Sequence, residues 1–173
     1  MDALLYIVNA IVTFVVVAFL LRAIMPLVRA DFRNPLGQAV LRVTDPLVRP
    51  LRRVLGPVGR VDVASLVAVY AVQYAGTSLR LLIGGAYSPL LAAWVAALDL
   101  LHTLIFFYST AVIAHALLSW VAMDTYNPAS RLLAAICEPL LAPVRRILPP
   151  LGGLDLSPLV VLVLLQAAQL LVR

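Results

Sequence analysis

A chain of 173 residues that is 64% hydrophobic and only 12% charged departs far from soluble domains, which run about half apolar and a quarter charged. With a mean hydropathy of +1.05 in 18.7 kDa, it has room for about four spans of about 20 residues and none for an additional soluble catalytic domain. Its net charge of +5 rests on 13 basic residues, all Arg. They lie between apolar segments and not on one basic soluble face, which points to anionic lipid headgroups and away from nucleic acid.

The start, Met1-Asp2 before an apolar run, lacks the basic residues and small-residue cleavage site of a secretory signal, so a retained helix is expected. Residues 4–21 carry no charge, and continuing past Arg22 to Val28 gives about 25 residues, enough to span with some tilt. Asn34-Pro35 then supplies an N-cap and a Pro at the first helical position. A short amphipathic helix follows, with Leu36, Val40 and Val43 on one face and Gln38 and Arg42 on the other. Asp45-Pro46 repeats the start signal. Leu47, Leu51, Val54 and Leu55 fall opposite Arg49, Arg52 and Arg53, and Pro50, lacking an amide hydrogen, is expected to kink or restart that helix.

Asp62 is placed to cap the next span, residues 63–83. Gln73, eleven residues on, lies about 16 Å along that helix, near mid-membrane. Residues 90–121 form the longest candidate span, and residues 89–98 read as an interfacial lead-in because about 32 residues overshoot the hydrocarbon. Asp99 and His102 are i,i+3 neighbours, close enough to pair in the membrane or at its outer boundary, although the sequence assigns them no role. His102 and His115 fall on different helix faces, and no other His exists, so bis-His haem ligation within the chain is excluded. Asn127-Pro128 and Glu138-Pro139 repeat the two start signals, Pro143 the expected kink, and Asp155 caps the last span, residues 156–172, which carries Gln166. The single Cys137 permits no intrachain disulfide.

A shift of 93 positions aligns the two halves without a gap. Asn34, Pro35, Pro46, Pro50, Arg52, Arg53, Asp62 and Gln73 recur as Asn127, Pro128, Pro139, Pro143, Arg145, Arg146, Asp155 and Gln166. Hydrophobic bias alone does not produce matched Pro, Arg and Asp. The expected fold is an all-α integral membrane protein with about four transmembrane helices in two parallel tandem repeats. The first repeat is 1–83 with its amphipathic segment at 29–60, the connector and lead-in 84–96, and the second repeat 97–173 with its amphipathic segment at 122–153. Seven Arg in the first segment and three in the second place both on the cytoplasmic side. The uncharged link 84–89 and both termini fall outside. A repeat axis along the membrane normal pairs Gln73 with Gln166, each amide satisfying the other.

The doubled pattern Asp45-Pro-Leu-Val-Arg-Pro-Leu-Arg-Arg53 and Glu138-Pro-Leu-Leu-Ala-Pro-Val-Arg-Arg146, with Arg29-Ala-Asp-Phe-Arg-Asn-Pro-Leu36 and Asp124-Thr-Tyr-Asn-Pro128, resembles the YggT family of small bacterial and plastid membrane proteins. The resemblance covers essentially the whole chain. It implies a protein of the bacterial inner membrane with no established enzyme activity, linked in bacteria to osmotic tolerance and cell-division gene neighbourhoods, and in plastids to cytochrome b6 haem attachment and organelle or nucleoid distribution.

No zinc-protease, phosphate-loop, nucleophile-elbow or dinucleotide fingerprint appears, and no nucleophile sits beside a base. The expected function is therefore non-enzymatic and cofactor-free. The chain reads as a structural or assembly factor whose Arg49, Arg52, Arg53, Arg145 and Arg146 bind anionic lipid or a protein partner, with no nucleic acid. The alternatives are a small channel or transport accessory, in which Gln73 and Gln166 line a polar path, and a haem or cytochrome assembly accessory.

Overall fold

The computed structural model describes residues 2–30, 34–121, 128–148 and 155–172, and the described residues are helical, with no strand among them. Helix α1 (Asp2–Leu27) is apolar on all sides, the pattern of a helix surrounded by hydrocarbon. It ends in a Schellman turn: Ala30 N–H donates to the Met25 carbonyl at 2.9 Å and Arg29 N–H to that of Pro26 at 3.4 Å.

Helix α2 (Pro35–Arg52) starts where the sequence says, with Asn34 Oδ1 accepting the Gly37 N–H at 2.6 Å. The expected break at Asp45-Pro46 and the kink or restart at Pro50 do not occur, and one 18-residue helix runs through both prolines. Pro46 and Pro50 are one turn apart and both exposed, so the carbonyls they leave unbonded lie on the outer face, where solvent or headgroups satisfy them. The helix has three sectors. Val40, Thr44 and Val48 are buried, Leu36, Val43 and Leu47 form an exposed apolar side, and Arg42, Arg49 and Arg53 lie away from both.

Helix α3 (Val63–Ile83) is a second apolar span. Its Gly76 lies against α1 so closely that a Cβ there would sit 2.5 Å from Val12 Cγ1. Helix α4 (Pro89–Val121) absorbs the expected lead-in into one helix of 33 residues, about 50 Å long. Helix α5 (Pro128–Ile147) again runs through two prolines, Pro139 and Pro143. Helix α6 (Ser157–Leu171) has 15 residues, about 22 Å.

Among the described residues three helices, α1, α3 and α4, are long and apolar enough to cross a membrane, and α6 is apolar but shorter, at 15 residues. In each half, the long apolar helix, the amphipathic helix and the following apolar helix pack on one another, and α4 also packs on α3 and α1. The main core gathers Val16, Phe19, Leu20, Val48, Ala68 and Phe107, among others. A smaller one gathers Val112, Leu141 and Val161, which lie 93 positions after Phe19, Val48 and Ala68. Outward-facing Tyr6, Phe14, Leu90 and Trp94 are exposed, an outer surface suited to lipid and costly in water.

Candidate functional site

The polar groups of this apolar chain concentrate where each amphipathic helix turns into the next apolar helix. In the first half, Arg52 at the end of α2 forms an ion pair with Asp62, which is 6% exposed. Ser65 Oγ donates to the same carboxylate at 2.5 Å. In the second half, Arg145 Nε donates to Asp155 Oδ2 at 2.8 Å and Arg145 Nη1 to Glu138 Oε2 at 3.0 Å. Arg52 and Arg145, like Asp62 and Asp155, are 93 positions apart, so the same clamp closes both elbows. Burial pushes the Asp62 carboxyl up, but the hydrogen bonds and charge of Arg52 with the Ser65 bond hold it below the usual carboxylate range. Asp155 is likewise lowered: Ser157 and Arg145 outweigh its desolvation. The Arg52 guanidinium is raised, chiefly by its bond to Asp62.

These pairs alter the capping roles. Asp62 occupies the N-cap position of α3 but makes no side-chain cap bond, because a full positive charge within reach is a stronger partner than a neutral amide. Asp155 serves both purposes: its Oδ1 accepts the Ser157 N–H at 2.9 Å while Oδ2 takes Arg145. Asn127 lies outside the described residues.

Within each Arg pair the two members differ. Arg52 and Arg145 are committed to the clamps, whereas Arg53 and Arg146 are exposed and make no ion pair among the described residues. Arg49 is 75% exposed and pairs with Asp45 at 2.7 Å.

Sequence reasoning missed the most deeply buried charge among the described residues. Arg22, within α1, is 1% exposed, and its Nη1 donates to Thr44 Oγ1 and to Asp45 Oδ1, each at 2.7 Å. Thr44 passes its own hydroxyl hydrogen to the Val40 carbonyl at 2.6 Å. Burial works against ionisation of Asp45, yet Arg22 and Arg49 together keep its carboxyl below the usual range. The available signal was an Arg six residues before the end of an apolar run, followed one elbow later by an acid otherwise read as a helix start. The corresponding residues of the second half are His115, Cys137 and Glu138. Cys137 is fully buried, its thiol pushed up to about 11 by desolvation, which makes it unreactive at neutral pH.

The expected contact between Gln73 and Gln166 is absent. Gln73 is 6% exposed and donates from Nε2 to Thr77 Oγ1 at 3.2 Å, whereas Gln166 is exposed. Helix α4 is the reason: it packs on both α3 and α6 and takes the place beside α3 that a repeat axis reserved for α6. Asp99 does not pair with His102 either. Thr77 Oγ1 donates to Asp99 Oδ2 at 3.0 Å and Arg80 Nη2 donates to the same oxygen at 2.6 Å. His102 Nε2 lies 3.1 Å from Gln169 Nε2 of α6. For Asp99 a charged guanidinium within reach is a stronger partner than a neutral imidazole on its own helix. Among the described residues no three His, Cys, Asp or Glu side chains gather as metal ligands.

This geometry, two apolar helix pairs each bent around an Arg-clamped amphipathic elbow, meets a family model described as CCB3/YggT over residues 1–83 and again over 94–173. The chain belongs to the CCB3/YggT family. Among its family relatives, "Uncharacterized protein PA0392" of Pseudomonas aeruginosa is 42% identical, the match covering 98% of this chain and 88% of that one. "Uncharacterized protein YggT" of Escherichia coli K12 is 33% identical over 95% and 86% of the two chains. An "Uncharacterized protein in proC 3'region" of Vibrio alginolyticus is 31% identical over 99% and 94%. None of these names states an enzyme activity. No solved structure matches the chain. The two segments matched by the family model are separated by residues 84–93, the link between α3 and α4 with the start of α4.

Proposed function

We propose that this CCB3/YggT family protein is a non-enzymatic, multi-pass protein of the bacterial inner membrane, a structural or assembly factor that engages anionic headgroups or a protein partner through its two elbows. The observation that carries this reading is the division of labour within each Arg pair. Arg52 and Arg145 lock the elbow to the following apolar helix, leaving Arg53 and Arg146 exposed beside it. A clamped elbow holds its outward charge at fixed depth and orientation, as an amphipathic helix in the headgroup layer requires. The three-sectored α2 supports the same placement: one side docks on the bundle, one apolar side faces lipid and the Arg side faces water. Each exposed Arg near an anionic leaflet contributes about 1 kcal/mol of attraction, enough to favour the cytoplasmic side without selecting one lipid.

A transport role has less support, because Gln73, Thr77, Arg80 and Asp99 satisfy one another instead of lining an open path. Two measurements test the proposal. Cysteines introduced near Arg53 and Arg146 should label from the cytoplasmic side alone. Arg53→Gln with Arg146→Gln should reduce crosslinking of the elbows to a photoactivatable phosphatidylglycerol or to a copurifying protein. Labelling of the two elbows from opposite sides would overturn the topology, and unchanged crosslinking of the folded variant would overturn the elbow contact.

A further inference from the structure

Two neighbouring cavities lie where the halves join. The first, about 250 Å³, is bounded by Arg29 and Asn34 from the α1–α2 turn and by Pro128 and Arg131 from the start of α5. The second, about 320 Å³, is lined by apolar groups including Val17, Leu21, Phe107 and Ala114. Leu132 lines both. A cavity with two arginines in its wall is thus separated from an apolar one by the Leu132 that borders both. From Arg29 back to Val17 is twelve residues, about 18 Å along α1, close to the depth of one leaflet of a hydrocarbon core about 30 Å thick.

The backbone of Arg29 marks this place independently. It sits at the C′ position of the α1 Schellman turn with φ of 55°, where Gly is the usual residue and a side chain costs roughly 1 kcal/mol. A large cationic side chain is nevertheless kept there and lines the first cavity. Neither arginine is a product of the repeat: 93 positions on from Arg29 stands Ala122, and 93 positions back from Arg131 stands Gln38. The two charges come from non-equivalent positions and converge only because the halves pack side by side. The positive end of α5 adds to them.

We propose that this seam binds one anionic glycerophospholipid, with its phosphate between Arg29 and Arg131 and one acyl chain in the groove lined by Val17, Leu21, Phe107 and Ala114. Two guanidiniums recognise phosphate oxygens, and the apolar cavity on the other side of Leu132 takes a chain that free phosphate lacks. The site rests on the membrane reading above in placing the elbows at headgroup level, but Arg53 and Arg146 have no part in it.

Native mass spectrometry of the full chain, equilibrated in mixed micelles of phosphatidylglycerol and phosphatidylcholine, tests the site. One phosphatidylglycerol should be retained in preference to phosphatidylcholine. Arg29→Gln with Arg131→Gln should lower that retention about tenfold, and Ala114→Phe, which fills the groove and leaves both arginines, should lower it similarly. Arg60→Gln, an exposed arginine outside both sites, should leave retention unchanged, and the elbow contact is read separately by crosslinking of the Arg53→Gln, Arg146→Gln variant, so that a failed elbow contact and a failed seam site give different results. Equal retention of both lipids, undiminished retention in either seam variant with unchanged elution and helical circular dichroism, or displacement of the lipid by inorganic phosphate alone would overturn the assignment.

Discussion

Asp45→Asn should be among the most damaging single changes that leave the chain's shape intact. Arg22 is 1% exposed and gives both Nη1 hydrogens to Thr44 and Asp45, while its Nε is buried without a partner among the described residues. Neutralising Asp45 leaves a buried guanidinium with no opposing charge, a loss of about 3–5 kcal/mol for fully buried pairs. Asp45 is 19% exposed, so the lower end, about 3 kcal/mol, is expected. Arg22→Met removes the buried charge and the orphan Nε together. It leaves Asp45 with Arg49 and Thr44 with the Val40 carbonyl, so its cost should stay near 1 kcal/mol. The double variant should resemble Arg22→Met and not the sum. In thermal unfolding of detergent-solubilised protein, where about 1 kcal/mol moves Tm by about 2–4 °C in a chain of this size, Asp45→Asn should fall by about 6–12 °C and Arg22→Met by under about 4 °C. Equal losses, or a larger loss for Arg22→Met, would refute the idea that an unbalanced buried charge dominates. The second half supplies an internal control: Glu138, the counterpart of Asp45, is 57% exposed, and Glu138→Gln should cost under about 1 kcal/mol.

The two clamps should differ in the same assay, with Arg52→Gln costing roughly 2 kcal/mol more than Arg145→Gln, because it strands a carboxylate that is 6% exposed against one that is 38% exposed. Acid should act through Asp45, Asp62 and Asp155. Their folded pKa values lie below 3.8, so their stabilisation is complete above that value and is lost as pH falls through the lower folded values; an unfolding midpoint that stays level as pH falls from about 5 to about 2 would contradict it. Gly76→Leu should loosen α1 from α3, seen as lost crosslinking between cysteines placed on those helices, since even a Cβ meets Val12 at 2.5 Å. Gln73→Leu should cost about 0.6–1.7 kcal/mol through its Thr77 bond, with Gln166→Leu near zero and no coupling between the two.

The elements were legible because hydrophobic runs and caps are local. Asn34-Pro35 marks the start of α2, and the 93-residue repeat carries that reading to α5. Neighbours were not legible. The repeat correctly paired Gln73 with Gln166 as equivalent positions, but equivalence is not contact, and the α3–α4 packing decides which helix faces Gln73. The prolines misled for a related reason: Pro46 and Pro50 break a helix only where their unbonded carbonyls are buried, and exposure is a tertiary property. Arg22 looked like an interruption of a span because its partners, Thr44 and Asp45, lie over twenty residues away across a turn. The seam arginines, Arg29 and Arg131, were passed over because they are the charges that the repeat does not duplicate.

Three strong contacts of the first half close within residues 1–83, Arg22 with Asp45, Arg52 with Asp62, and Gly76 against Val12, while Arg80 waits for Asp99 of α4. During synthesis this unit can therefore settle in the bilayer while the last 90 residues are still being made, an interval of roughly 5–20 s at ribosomal speeds of about 5–20 residues per second. The later half then emerges beside a finished surface. Helix α4 is the first of its helices to arrive, and the one that packs on α1 and α3 as well as on α5 and α6. The order of appearance from the ribosome thus matches the order in which each helix finds something already built to lean on.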